Sequence, residues 1–266
     1  MIPLSFKNTA TKILAQFSQA KFFWFAVITG LLVRLVFAPI TSYAFDVGAF
    51  LKHDELFYLA EVNPLYWWSY GVPYLGILLG FFPLKLAANL LGVDNIYVTQ
   101  SVLKLPFILA DMGIAAVLYH LVRTLPLPRL SKEKLEDLAK VVALYWWVHP
   151  FAIFISSVHG MFDAIPTFFV LLAVFYALHR KVSRSYATLA IATTIKLFPF
   201  FLFPLFFFYF WQTHRFKKQL WGIGIAFLIG VASFAPLLIP VLTRETFLNS
   251  LFFHTSGVLS DPSAFS

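Results

Sequence analysis

Asp46, His159, Asp163 and Lys196 stand at the edges of long apolar runs, and their side chains can take a proton or hold an anion. An ionisable group inside or at the edge of a membrane segment costs roughly 2.5–3.5 kcal/mol on insertion scales, which makes each a candidate for chemistry. Asp46 can act as a carboxylate base or hold a divalent metal at the water–lipid boundary; it can equally be a solvated loop acid or a helix cap. His53, Asp54 and Glu55 add polar groups to the same loop, as a possible ligand set or as a wet surface. His159 and Asp163 fall four apart in HGMFDAIP, between ALYWWVHPFAIFISSV and TFFVLLAVFYAL. They are either a polar hairpin tip, with Asp163 capping the next helix, or part of a site. Lys196, in ATLAIATTIKLFPFFLFPL, is either a snorkelling lysine at a helix end or a cation for a lipid phosphate. Lys104 and Asp111 share one helix face about 10 Å apart. That is too far for a pair, so Asp111 needs another partner, most simply a hydrogen bond between helices.

The elements that position these groups must be membrane helices. Of 266 residues 60% are hydrophobic and 12% charged, and the mean hydropathy is +0.81. Soluble domains are about 45–50% apolar and about 25% charged. Lipid must therefore solvate most of this surface. The net charge of +8 is distributed between apolar runs rather than over one soluble face, so it is not a nucleic-acid footprint. The absence of cysteine excludes disulfides, thiol catalysis and thiolate-bound metals. Residues 1–20 lack the pattern of a signal peptide and read as a cytoplasmic amphipathic lead-in.

The expected fold is an all-α, polytopic membrane helical bundle forming one transmembrane domain over 1–266. About 20 apolar residues cross a bilayer, which places helices at about 21–41, 100–122, 140–158, 164–179 and 221–242. Segment 71–92 is interrupted by Pro83 and Lys85 and reads as a re-entrant or surface-lying pair. Segment 187–211 carries Lys196 and Pro199 at its middle and reads as two short helices, 186–196 and 199–211, forming a hairpin. The loop 42–70, rich in Tyr and Trp, is expected to lay short helices in the interface. Five basic residues in 123–140, three in 179–186 and three in 212–219 point those segments to the cytoplasm. Asp46, Asp54, Glu55 and Glu61 against Lys52 point 42–70 outside, with the 159–163 turn and 243–266. Carboxylates, a histidine and a lysine then gather at one extracytoplasmic face of a multi-pass cell-membrane protein. This suits chemistry on a lipid-linked anionic substrate, or ion-coupled transport. Transporters, however, usually carry midplane charges and internal repeats.

Several stretches resemble, in order, the GT-C superfamily of polytopic glycosyltransferases, and within it the GPI mannosyltransferase I-like and archaeal and bacterial mannosyltransferases. They are AFDVGAF, NPLYWWSYGVPYLGILLG, LKLPFILADMGIAAVLYHLVR, HPFAIFISSVHGMFDAIPTFFVLLA and IKLFPFFLFPL. Asp46 has no second acid two residues on, His149 stands where the family commonly has Asn before Pro150, and VPY replaces a doubled proline. The resemblance implies inverting transfer of a sugar, of the mannosyl class, from a polyprenyl-phosphate donor to a lipid-linked or glycan acceptor. Asp46 would be the base, Lys196 and Arg244 would hold the leaving phosphate, and His159 and Asp163 would orient hydroxyls, with His53 and Asp54 nearby. It implies no obligatory cofactor, although a divalent metal is possible. It covers the family's N-terminal module, which implies either a truncated chain or a second membrane chain that completes it. The alternatives are a non-catalytic membrane subunit that kept the scaffold, or a lipid or sugar transporter.

Overall fold

The computed structural model describes residues 20–41, 72–93, 95–128, 130–212 and 216–238. The described residues form an all-α membrane helical bundle. Its elements are α1 (Ala20–Ile40), α2 (Val72–Leu90), α3 (Ile96–Thr124), α4 (Lys132–Trp147) and α5 (Pro150–Ile153). α5 runs into a π-helical segment, Phe154–His159. There follow α6 (Ala164–Leu178), α7 (Val182–Ile195), a 3-10 turn (Phe198–Leu202), α8 (Phe203–Gln212) and α9 (Phe216–Leu238). Three of these helices are long and apolar enough to cross a membrane: α1, α3 and the Phe216–Ala235 part of α9. α4 and the Pro150–His159 segment, bent 44° to each other, make a fourth if counted as one span. The interfacial helices expected in 42–70 lie outside the described residues.

Local chemistry explains where the helices start and stop. Asn95 caps α3 by accepting from the Val98 N–H at 3.1 Å, and Ser131 caps α4 by accepting from Lys134 N–H at 3.3 Å. Such caps satisfy one of the orphan donors of a first helical turn. The Ser131 cap lets α4 begin within the charged run KEKLEDLAK, eight residues before the apolar stretch from 140. The expected uninterrupted 140–158 helix is instead broken at Val148–His149. Pro150 has no N–H to give the preceding turn and its ring crowds that turn's carbonyl. His149 restarts the chain, its Nδ1 accepting from Phe151 N–H at 3.2 Å. Gly160, at φ 84°, ends the π segment in the left-handed region that favours glycine.

At Pro83 the outcome is the reverse. The expected interruption of 71–92 is absent, and α2 runs continuously through the proline. Carrying the helix through Pro83 forfeits one backbone bond, whereas ending it exposes several carbonyls that apolar surroundings cannot satisfy. α3 likewise runs through Pro106.

A break does occur at Lys196. α7 ends at Ile195, Lys196 is extended at φ −148° and ψ 140°, and Pro199 begins the 3-10 turn. α8 then folds back along α7, bringing the ring centroids of Phe203 and Phe210 to 6.1 and 5.6 Å from that of Tyr186. Gln219 of α9 locks this corner by donating to Phe207 O at 3.0 Å. α6 and α7 meet through small residues, and Ser185 Oγ donates to Ala173 O at 2.9 Å. Small residues allow the close backbone approach on which helix association in lipid depends.

The helix directions define two ends of the bundle. The C-termini of α1, the π segment and α7 lie at one end with the start of α6; here it is called the upper end. The C-termini of α3 and α6 and the starts of α4, α7 and α9 lie at the other, basic end.

Candidate functional site

Three polar groupings lie between the basic end and the upper end. The deepest joins α1, α3, α4 and the π segment. Arg34 is wholly buried and Asp111 is 1% exposed. The Arg34 guanidinium donates to Asp111 Oδ2 through Nη2 at 3.1 Å and through Nε at 3.3 Å. Nη1 donates to Trp147 O at 2.6 Å and to Gly30 O at 3.3 Å. Ser156 Oγ lies 2.6 Å from Asp111 Oδ2 and 2.9 Å from Ala152 O. The guanidinium carbon sits 4.1 Å from the Trp147 ring centroid, and Trp147 Nε1 donates to Val27 O at 2.9 Å. Arginine suits this place because its planar fork can pair with a carboxylate and stack on an aromatic face together. The stack requires Gly30: a Cβ there would fall 2.5 Å from Trp147 Nε1.

Lys104 forms the second grouping. It is buried, and its Nζ donates to the carbonyls of Thr41, Ser157 (2.9 Å) and Val158 (3.4 Å). These carbonyls end α1 and the π segment, so one ammonium caps two helix C-termini, where the backbone dipoles favour a cation. Its partners are backbone oxygens, and the carboxylate of Asp111 is taken by Arg34 and Ser156.

The third grouping is at the upper end. Lys196 Nζ is paired with Asp163 Oδ1, each side chain about one-third exposed. Lys196 Nζ also lies 5.1 Å from the Phe162 ring centroid, and Phe162 stacks on Tyr74 of α2 at 4.5 Å. Asp163 occupies the N-cap position of α6, yet its side chain caps no N–H there; it is turned to Lys196. Its carbonyl accepts from Thr167 Oγ1 at 2.7 Å. His159, half-buried, meets the Phe154 ring at 5.7 Å.

The structure thus brings Asp163 and Lys196 together and places His159 in the turn before them. Asp46, His53, Asp54 and Arg244 lie outside the described residues. Among the described residues, no three His, Cys, Asp or Glu side chains gather in a metal-holding group. Sequence reasoning missed Arg34, although the signal was present: it is the one charge in FFWFAVITGLLVRLVFAPI. It also missed Ser156 and Trp147, whose roles depend on the bend at Pro150.

These features define a multi-pass membrane protein in which the polar side chains within the bundle bind helices to one another. Residues 54–258 match the family described as GPI transamidase subunit PIG-U, and the chain belongs to that family. No curated protein and no solved structure matches it.

The family match overturns the GT-C glycosyltransferase resemblance, and with it the enzyme class and the mannosyl transfer. The polyprenyl-phosphate sugar donor and the glycan acceptor belonged to that reading and go with it, and no base is then required of Asp46. Of the described stretches that carried the resemblance, LKLPFILADMGIAAVLYHLVR is helix interior, while HPFAIFISSVHGMFDAIPTFFVLLA and IKLFPFFLFPL hold the breaks between helices. Prolines and polar breaks of this kind recur wherever apolar helices must be packed and reversed.

Proposed function

We propose that this chain is a non-catalytic membrane subunit of a GPI transamidase complex. The family match over residues 54–258 carries the reading. The polar chemistry supports it: Arg34 and Asp111 neutralise each other, Lys104 is spent on helix ends, and Lys196 is held by Asp163. A scaffold needs such internal pairing, whereas a catalytic group must be left poised toward a substrate. Within this reading the upper end, with His159, Asp163 and Lys196, faces outward from the cytoplasm and meets a polar group of a second membrane chain or of the complex's ligand.

The test is capture of the tagged full chain from its native membranes in mild detergent. The expected result is co-purification of other membrane chains together with transamidase activity, and no sugar transfer from a polyprenyl-phosphate donor. Recovery of the chain alone, with sugar transfer, would overturn the proposal. A single cysteine replacing the exposed Ser131, in this cysteine-free background, tests orientation; labelling from the cytoplasmic side alone is expected.

A further inference from the structure

The two halves of the basic end differ in charge. At the basic end of α3 and α4 two cations have a carboxylate beside them: Arg123 Nε lies 2.8 Å from Glu136 Oε2, and Lys140 Nζ lies 3.9 Å from Glu136 Oε1. Between residues 164 and 244 the sequence has no Asp or Glu at all. Arg180, Lys181 and Arg184 at the α6–α7 turn, and Lys217 and Lys218 at the start of α9, are all exposed. The two starts are adjacent, because Gln219 of α9 reaches Tyr186 OH at 3.5 Å one turn into α7. Five cations therefore share one corner without an acid from their own segments.

We infer that this corner, around Tyr176, Arg180, Lys181 and Arg184, binds the phosphate-bearing headgroup of an anionic phospholipid. Three observations point to a lipid. First, the cations sit beside apolar surface: Trp211, Leu220 and Trp221 are exposed next to them. Aromatic residues of this kind mark the headgroup level. A ligand that lies along this surface and meets the cations must have an apolar body and a negative head. Second, Lys181 Nζ and Arg184 Cζ lie 5.9 and 6.0 Å from the Tyr176 ring centroid. The ring holds both charges on one side of the turn by cation–π attraction.

Third, Arg180 adopts φ 58°. It follows the α6 C-terminus, where its N–H donates to Ala177 O and that of Lys181 to Tyr176 O, each at 2.8 Å. That left-handed position ordinarily takes glycine. The sequence keeps an arginine there against the backbone preference, which fixes a third cation at the turn beside Lys181 and Arg184. By the positive-inside rule this end faces the cytoplasm, the side on which anionic lipids attract basic segments.

The full chain, purified in mild detergent, is titrated with dioleoylphosphatidylserine or dioleoylphosphatidylcholine, and bound lipid is counted by native mass spectrometry. A clear preference for phosphatidylserine is expected, falling about fivefold for each cation removed in Lys181→Gln and Arg184→Gln. The control Lys132→Gln with Lys134→Gln, on the half that carries acids, should keep it. Arg180→Gly separates function from fold: it relieves the left-handed backbone, so the melting temperature should hold or rise while lipid preference falls. Equal binding of the two lipids, or an equal loss in the control, would overturn the inference. So would displacement of phosphatidylserine by a polyglutamate peptide at stoichiometric concentration, which would assign the corner to an acidic protein segment.

Discussion

Arg34 and Asp111, 77 residues apart in sequence, meet through two N–H donors on one carboxylate oxygen, and together they fasten α1 to α3. Ser156 Oγ lies 2.6 Å from the same carboxylate oxygen, and the carbonyls of Trp147 and Gly30 accept from Arg34 Nη1. Neither charge could remain alone in an apolar interior, so each fixes the position of the other. Asp111→Asn leaves the guanidinium without its counter-charge. Breaking a buried pair from one side costs about 3–5 kcal/mol, and the melting temperature of the purified chain should fall accordingly. The double variant Arg34→Leu with Asp111→Leu should recover most of that loss, since apolar replacement of both partners is often neutral. An unchanged melting temperature in Asp111→Asn would show that the pair does not hold α1.

Gly30 sets how close α1 comes to α4. A Cβ there would fall 2.5 Å from Trp147 Nε1 and 2.7 Å from Cδ1. Gly30→Ala must therefore displace the indole that carries the Arg34 stack. A cost of about 1–3 kcal/mol is expected, as for overpacking of a core. Combining it with Trp147→Leu should cost less than the sum of the two single changes, because the smaller side chain removes the collision. Strict additivity of unfolding free energies would contradict the proposed contact.

Lys104 holds the ends of α1 and the π segment through carbonyls. Lys104→Met keeps the apolar stem and removes the donor, leaving buried oxygens unsatisfied at about 1–3 kcal/mol. Loosening should be local, so hydrogen exchange of amides at 154–160 should accelerate while those at 185–195 do not change. Uniform acceleration across both segments would mean that Lys104 supports the whole bundle.

The all-α membrane class was legible because composition alone demands lipid as solvent, and apolar runs of the right length can be little else. The demand that Asp111 find a partner was legible too, from the cost of a buried carboxylate. The identity of that partner was not: Arg34 could reach it only because α1 and α3 pack side by side, which no local pattern reveals. Pro83 and Pro150 look alike in sequence, yet α2 passes through one and the chain bends at the other. The residues flanking Pro150 make the difference: His149 caps a new start and Ser156 finds Asp111, so the bend leaves few groups unsatisfied. Asp163 and Lys196 were expected at one face, but as separate ligand-binding groups; that each is the other's partner depends on the reversal after Ile195. Function was misread because prolines and lone polar residues among apolar helices carry little information about chemistry.

The Asp163–Lys196 pair distinguishes a structural role from a contact within the complex. Each side chain is about one-third exposed, and exposed pairs are worth only about 0–1 kcal/mol. Asp163→Asn and Lys196→Gln should therefore each shift the melting temperature of the isolated chain little. If the upper end meets a partner, the same variants should weaken capture of the other subunits about tenfold, since charges at an interface act on association more than on fold. The exchange Asp163→Lys with Lys196→Asp decides what the charges touch. It preserves an internal pair but inverts both charges as a partner meets them. Assembly should remain impaired in the exchanged protein while its melting temperature stays close to that of the unmodified chain. Restored assembly would show instead that the pair serves only to close α7 onto α6, and the partner contact would have to be sought elsewhere on the upper end.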